Sequence, residues 1–312
     1  MTAARRARVP ALAKINLDLR VLGKRPDGFH ELRTIFQTIS LADTLEVAFT
    51  PARRTVIQLD DPLEIPDNLV TRAARAVMDA MRVNGHVELR LVKRIPMGAG
   101  LGGGSSDAAA VLLALPALAG RAIALETLSS LAGELGSDVP FFLLGGTAAG
   151  IGRGTELFPM ADVSPKHGLL LAPGVHVNTA QAYRDLSPRL TTDLQRNKIY
   201  SFQSLTWNAG SVSGLCNDFE AVVFEQHPGL AVLKKRLVRA GATVALMTGS
   251  GSSLFGLFPD RDAVRRAAKS LREIGSFQIS LVSRARYRAL WRRSLAEHVE
   301  PNTWPPQSRY SR

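Results

Sequence analysis

One segment of the chain concentrates residue types that can hold a phosphate. Pro96–Asp107 reads PMGAGLGGGSSD, with Pro96 and Met97 leading into Gly98, Ala99, Gly100, Leu101, Gly102, Gly103 and Gly104. Missing side chains let backbone N–H groups approach an anion closely. The apolar run DAAAVLLAL follows at once, so the loop feeds a helix N-terminus, where unpaired N–H groups and the macrodipole favour negative charge. Ser105 and Ser106 add hydroxyls suited to a phosphate or, at Ser106, a magnesium ion. Three readings compete. A helix capped by Ser105, Ser106 or Asp107 needs one glycine, not five. A dinucleotide fingerprint is formally matched by Gly98-x-Gly100-x-x-Gly103, but it requires an acid at the end of the next strand; Glu126, near the right distance, sits in the helix-like LETLSSLAGEL. A nucleoside triphosphate loop accounts for all five glycines, although no Walker lysine follows the last of them.

Other residues carry chemistry but have ordinary explanations when taken singly. Lys14 and Asn16 point away from the apolar face of Ile15, Leu17 and Leu19, as solvent-facing strand residues also do. Asp138, in GSDVPFF, reads as a cap or turn acid. Phe29 and His30 follow the turn Pro26-Asp27-Gly28 and offer a π-face and a donor–acceptor ring. Tyr183 lies on a helix candidate, VNTAQAYRDL. Gly249, Ser250, Gly251, Ser252 and Ser253 join two strand-like runs in a turn small enough for close approach to a ligand. Cys216 is the one cysteine, so the chain builds no internal disulfide, and its surroundings read as structural.

The elements that must position these residues follow from periodicity. Residues 9–22, Leu32–Leu41, Thr44–Phe49, Thr55–Leu59 and His86–Val92 read as strands, and Asn68–Arg82 as a helix. After the glycine loop come a helix to about Ala119 and a second, Leu125–Leu135; SDVPFFLLGG and TAAGIGRGTEL read as short strands with turns. Gly168–Ala172 reads as a buried strand. Beyond it, helices at Asn178–Leu186, Asp218–Gln226, Leu230–Ala240 and Asp260–Ile274 alternate with strands at Thr243–Met247, Leu254–Phe258 and Gln278–Val282. A boundary near 155–175 separates the two patterns, and the second half suggests an α+β sandwich.

Composition excludes some functions. The chain has 312 residues and is 46% hydrophobic, enough for a sizeable core, and no run approaches a membrane span. No secretory signal is read at the N-terminus, and a reducing cytoplasm is expected. The net charge of +12 invites a nucleic-acid reading, but residues 1–8 carry +3 and residues 284–312 carry +5, which leaves +4 for the 275 residues between. Charge at the ends reads as solvated extensions. Aromatic content of 6% and the lack of a body-wide basic face argue against an RNA-binding module.

PMGAGLGGGSSDAAAVLLAL resembles the phosphate loop of the GHMP kinases. ALAKINLDLRVLGKRPDGFHEL resembles their N-terminal motif and MTGSGSSLFGLF their C-terminal glycine motif, all in order and covering about residues 9–283. GSDVPFFL and NDFE narrow the likeness to the branch acting on a cytidine-diphosphate polyol. The resemblance implies a two-domain α+β fold: residues 9–160 hold the ATP loop and a left-handed βαβ unit, and residues 161–283 form an α/β sandwich. The active site then lies in the cleft between them, with a basic extension at 1–8 and an arginine-rich tail at 284–312. It implies ATP with Mg2+ as cofactor, no nucleic-acid or membrane partner, and a monomer or homodimer. By the same resemblance Asp138 takes the proton of the substrate hydroxyl, Lys14 pairs with it and offsets phosphoryl charge, and residues 96–106 hold ATP. Asn16 and the 249–251 loop line the substrate site; His30 reads cytosine, with Phe29 (commonly tyrosine in the family) and Tyr183 on the two faces of the base. A mevalonate- or homoserine-type substrate is the alternative within the family, and the GFHEL segment argues against it.

Overall fold

The computed structural model of the chain describes residues 3–163, 167–190, 214–299 and 306–308. Strand β1 (Arg5–Lys24) and strand β2 (His30–Pro51) form one long antiparallel hairpin, closed by a turn in which Gly28 takes φ +85°. β2 is continuous where the pattern suggested two strands. Asp43, the polar residue at the apparent break, is buried inside the sheet with its carboxylate satisfied by the N–H groups of Arg94 and Ile95 and by the Lys93 ammonium.

Strand β3 (Val56–Asp60), helix α1 (Leu69–Met81) and strand β4 (Gly85–Val92) follow as a βαβ unit with β3 and β4 parallel. Asn68 caps α1 by accepting from Val70 N. Next come α2 (Gly103–Ala119), α3 (Leu125–Leu135), α4 (Val139–Leu144), β5 (Thr147–Gly152) and β6 (Glu156–Pro159). The six-stranded sheet has the order β3-β4-β2-β5-β6, with β1 laid on β2. From Ser106 to Pro116 every residue of α2 is buried, so this helix has no polar stripe and forms the centre of the core. The segment expected as a strand after Asp138 is helix α4 instead. Pro140, in its first turn, has the φ a helix start needs, and Phe141 and Phe142 pack edge to face at 5.2 Å beneath it.

The second half gives β7 (His167–Leu171), α5 (Thr179–Leu186), α6 (Glu220–Gln226), α7 (Pro228–Arg239), β8 (Val244–Met247), β9 (Leu254–Phe258), α8 (Arg261–Ser270), β10 (Ser276–Ser280) and α9 (Arg284–Ser294). Its four strands form an antiparallel sheet of order β10-β7-β9-β8. β1 runs through the apolar packing of both halves. Val9, Ala11 and Leu12 join the core around α2; Ala13, Ile15 and Leu17 join a layer shared with Leu170, Phe255 and Ile279; Leu19 and Val21 join the core under α5 and α6.

Both ends depart from the expected solvated extensions. Residues 5–8 already belong to β1, paired with Glu46–Phe49. In the C-terminal segment Tyr287, Trp291 and Leu295 are buried in the α2 core, while Arg286, Arg288, Arg292 and Arg293 face outward. Arg5 donates to the His298 ring and carbonyl, and Leu125 N donates to Gln307 O at 3.2 Å. The rest of the arginine-rich tail, 300–305 and 309–312, lies outside the described residues. No helix among the described residues is long and apolar enough to cross a membrane.

A tail that is part of the core must contribute to stability. Trp291→Ala is expected to lower unfolding free energy by about 3–5 kcal/mol in urea titrations; an unchanged midpoint would show that the helix is detached in solution.

Candidate active site

The N-terminus of α2 begins at Gly102, whose φ is +68°, and no side chain caps it. The capped-helix reading is thereby excluded, and the first-turn N–H groups stay available to an anion. Gly98, Gly100 and Gly102 all take left-handed φ. The close approach is tightest at Gly100, where a Cβ would lie 2.2 Å from the Thr248 carbonyl oxygen and 3.2 Å from that of Gly251. The phosphate loop and the second glycine loop are thus pressed together backbone to backbone. The dinucleotide reading also falls, because Glu126 is in the first turn of α3 and not at a strand end.

Lys14 is bound to this loop through its backbone, N to Leu101 O at 3.0 Å. A register shift between Leu12 and Lys14 breaks the strand's simple alternation, and Lys14 is not solvent-facing but 3% exposed. Its ammonium lies 3.2 Å from Asp138 Oδ2 and donates to Asn16 Oδ1 at 2.8 Å. Asp138 is the residue before α4. Its side chain makes no cap bond, so the carboxylate is directed to Lys14 and the cleft.

Asn16 ties the two halves together. Its Oδ1 also accepts from Gly249 N at 3.0 Å, and its backbone N donates to Thr248 Oγ1 at 3.1 Å. Thr34 settles its orientation: the Thr34 hydroxyl donates to Asp18 O at 2.7 Å, so it must accept from Asn16 Nδ2, 2.8 Å away. At the other end of the cleft the His30 ring stacks on Tyr183 with centroids 4.6 Å apart, and the Tyr183 ring meets Phe219 edge-on. His30 thus covers one face of the Tyr183 ring, while Phe29 and Tyr183, the pair expected on the two faces of the base, both line the cleft. Ser187 Oγ donates to Tyr183 O at 2.8 Å and therefore accepts from His30 Nε2 at 2.7 Å, which leaves His30 Nδ1 as an acceptor. Burial and the Lys24 charge hold the imidazole below its usual range, hence neutral. Burial and the Asp138 charge push the Tyr183 phenol up. Phe29 is 49% exposed, with the Arg153 guanidinium 3.4 Å from its ring centre.

A cleft of about 1090 Å³ joins these groups, lined by Lys14, Asn16, Phe29, His30, Gly98, Gly100, Gly102, Asp138, Tyr183 and Gly249–Gly251. Several of the expected residues stay out of it. Ala99 and Leu101 point into the layer between the sheets, Gly103 and Gly104 open α2, and Met97 is 61% exposed. Pro96 and Ser105 also lie outside the lining. Ser106 is buried and its hydroxyl donates to Leu12 O at 2.7 Å. Among the described residues no group of three His, Cys, Asp or Glu is placed to hold a metal ion.

Residue-type arguments passed over the scaffold of the second glycine loop. Asn217 Nδ2 donates to both Met247 O (2.7 Å) and Gly249 O (2.8 Å), Glu220 Oε1 accepts from Met247 N, and Asp218 Oδ2 accepts from Val21 N. The NDFE segment thus holds the loop to β1. Cys216 participates through its backbone N, which donates to the buried Asp18 carboxylate. Arg153, Thr248 and Ser187 had no sequence signal beyond their type.

Comparison with known proteins places this geometry. The GHMP kinases N terminal domain matches residues 68–146, and the GHMP kinases C terminal domain matches residues 201–276. The chain is 69% identical, over all of both chains, to a 4-diphosphocytidyl-2-C-methyl-D-erythritol kinase of Solibacter usitatus (strain Ellin6076). It superposes on a crystal structure of 4-(cytidine 5'-diphospho)-2C-methyl-D-erythritol kinase with TM-score 0.75 at 38% identity, covering 88% of this chain and 98% of that one. Homoserine kinase from Cytophaga hutchinsonii shares the fold at 19% identity and TM-score 0.68, with 91% of this chain and 96% of that one covered.

Beneath the phosphate loop lies a buried cluster in which Lys93 Nζ bridges Asp43 and, at 2.7 Å, Asp107. Burial, opposed by Lys93 and reinforced by Asp43, pushes the Asp107 carboxyl up to about 7. A raised carboxyl binds its proton more tightly in the folded chain, so its contribution is full below the unfolded value of 3.8 and is lost as pH rises through about 7. Asp107→Asn keeps an acceptor for Lys93 and removes the titration. Urea unfolding from pH 5 to 8.5 should show the parent losing stability relative to Asp107→Asn as pH rises; parallel curves would place the proton elsewhere.

Proposed function

This chain belongs to the GHMP kinases, and on that premise we propose that it transfers the γ-phosphoryl group of ATP to the 2-hydroxyl of 4-diphosphocytidyl-2-C-methyl-D-erythritol, a step of the methylerythritol phosphate route to isoprenoid precursors. It is an ATP-dependent phosphotransferase with an alcohol acceptor. The observation that carries the substrate assignment is the two-ended cleft: an ion pair beside an uncapped helix N-terminus at one end, and a histidine with a bare acceptor nitrogen at the other.

The residues fit the roles this reaction needs. ATP phosphates suit the glycine loop, since the left-handed backbone at Gly98, Gly100 and Gly102 and the α2 N-terminus present N–H donors and no side chains. Magnesium, when bound with ATP, would neutralise charge on the phosphate oxygens, and Ser106, at the start of α2, is the hydroxyl that would reach it. Asp138 Oδ2 is placed to accept the proton of the attacking hydroxyl. Lys14 offsets the charge that develops on the transferred group, and its bond to Asn16 fixes where the ammonium sits. His30 Nδ1 accepts from the exocyclic amino group of cytosine, and the exposed Phe29 ring gives the base a face to stack on. Asn16 acts as a strut between the domains through its carbonyl oxygen, shared by Lys14 and Gly249, and leaves one amide N–H for the substrate.

An ADP-release assay should show turnover with 4-diphosphocytidyl-2-C-methyl-D-erythritol and none above background with mevalonate or homoserine. Turnover confined to either of the latter would overturn the substrate assignment. Asp138→Asn should lower kcat by about 10²–10⁴-fold while ATP affinity, read by calorimetry, holds; near-normal turnover would remove Asp138 from the role of base.

A further inference from the structure

Helix α9 lies beyond the residues that the family domains match, which end at 276. Its buried face is nevertheless directed at the element that carries Asp138. Tyr287 is 3% exposed, and its hydroxyl donates to Phe142 O at 2.5 Å. That carbonyl is one of the last four in α4, which no N–H of the helix itself can satisfy. The Tyr287 ring covers Gly145 at the end of α4 so closely that a Cβ there would fall 2.2 Å from the ring. Arg284, one turn earlier, donates to the carbonyls of Gly145, Met160 and Thr147. The C-terminal end of α4 is thus held by two side chains of α9.

α4 has six residues and begins immediately after Asp138. Phe142 stands four residues on, about 6 Å along the axis, so a shift at its carbonyl is passed to Asp138 with little room for absorption. The Phe142 ring also reaches the nucleotide side: a Cβ on Gly102 would lie 3.0 Å from it and 3.2 Å from Lys14 Cγ. Phe142 therefore meets the tail through its carbonyl and the phosphate loop through its ring. Tyr287 does not line the cleft, and its burial keeps the phenol protonated as a donor.

We propose that Tyr287 is a positioning residue for phosphoryl transfer: by binding the free carbonyl of Phe142 it fixes α4, and through α4 the Asp138 carboxylate and the Gly102 turn. The proposal rests on the reading of Asp138 as the proton acceptor. Tyr287→Phe keeps the ring over Gly145 and removes only the hydroxyl. In the full chain, assayed with saturating ATP and 4-diphosphocytidyl-2-C-methyl-D-erythritol well below the melting temperature, it should lower kcat by about five- to twentyfold with both KM values within about twofold. In an Asp138→Asn background the same change should alter residual turnover less than about twofold, because the two act through one group. Trp291→Phe is the control: it loosens the same helix without touching the Phe142 carbonyl, and should lower Tm while keeping kcat. An unchanged kcat in Tyr287→Phe beside an inactive Asp138→Asn overturns this proposal alone. Equal kcat losses in Tyr287→Phe and Trp291→Phe overturn it too, by reducing the effect to stability. Near-normal turnover in Asp138→Asn sinks the aspartate reading and the route through it.

Discussion

Lys14 carries a positive charge into a position where 3% of the residue is exposed. An ammonium so far from water is tolerable only with partners that replace its hydration, and each partner must itself be held. Asp138 supplies charge from the N-terminal side of α4, and Asn16 supplies an oxygen two residues along the same strand. Asn16 can do so because Thr34 fixes its amide, and Thr34 is fixed in turn by the Asp18 carbonyl. The chain of hydrogen bonds ends in backbone, which cannot move without the hairpin moving. The long β1–β2 hairpin gives that rigidity, since β1 is embedded in the apolar packing of both halves.

The same logic explains why glycine is needed where the two loops cross. Gly100 and Gly249 approach each other until a Cβ on Gly249 would lie 3.0 Å from Gly100 Cα, and both take left-handed φ. Contact of this kind brings the phosphate loop and the substrate side to one place without side chains between them. It is held from behind by Asn217 and Glu220, which bind the backbone on both sides of Thr248. These polar residues never need to touch a ligand to matter, because an error in their positions becomes an error in the distance between phosphate and hydroxyl.

The glycine loop that opens α2 was legible in the sequence because glycine spacing is itself the backbone requirement. The long helices were legible for a similar reason: α1, α2 and α3 have periodic or wholly apolar patterns and clear ends. What was not legible depended on partners far along the chain. Asp43 looked like a strand break until Lys93, fifty residues away, gave it a place in the interior. α4 is too short to show a helical period, and VPFFLL is as apolar as a buried strand. The tail was misjudged because its arginines dominate the composition, yet Tyr287, Trp291 and Leu295 recur every four residues on one face. The stack of His30 on one face of Tyr183 is a contact between hairpin tip and helix that no local pattern encodes.

Fold alone does not select the acceptor. Homoserine kinase from Cytophaga hutchinsonii superposes at TM-score 0.68, so the overall fold is shared by proteins named for different alcohols. Discrimination must then come from parts that can change without disturbing Lys14. The turn of the β1–β2 hairpin meets that condition: it projects from the strand that carries Lys14 and lies at the far end of the cleft. Its residues are held by local bonds, Arg25 to Asp27 and Glu31, and by a few side-chain contacts, His30 to Tyr183 and Ser187 and Phe29 to Arg153. A tip of this kind can be rebuilt for another substrate at small cost to the core, whereas Asn16, Thr34 and the two glycine loops cannot. The division between a rigid end around Lys14 and a locally braced hairpin tip is therefore a consequence of burying one lysine.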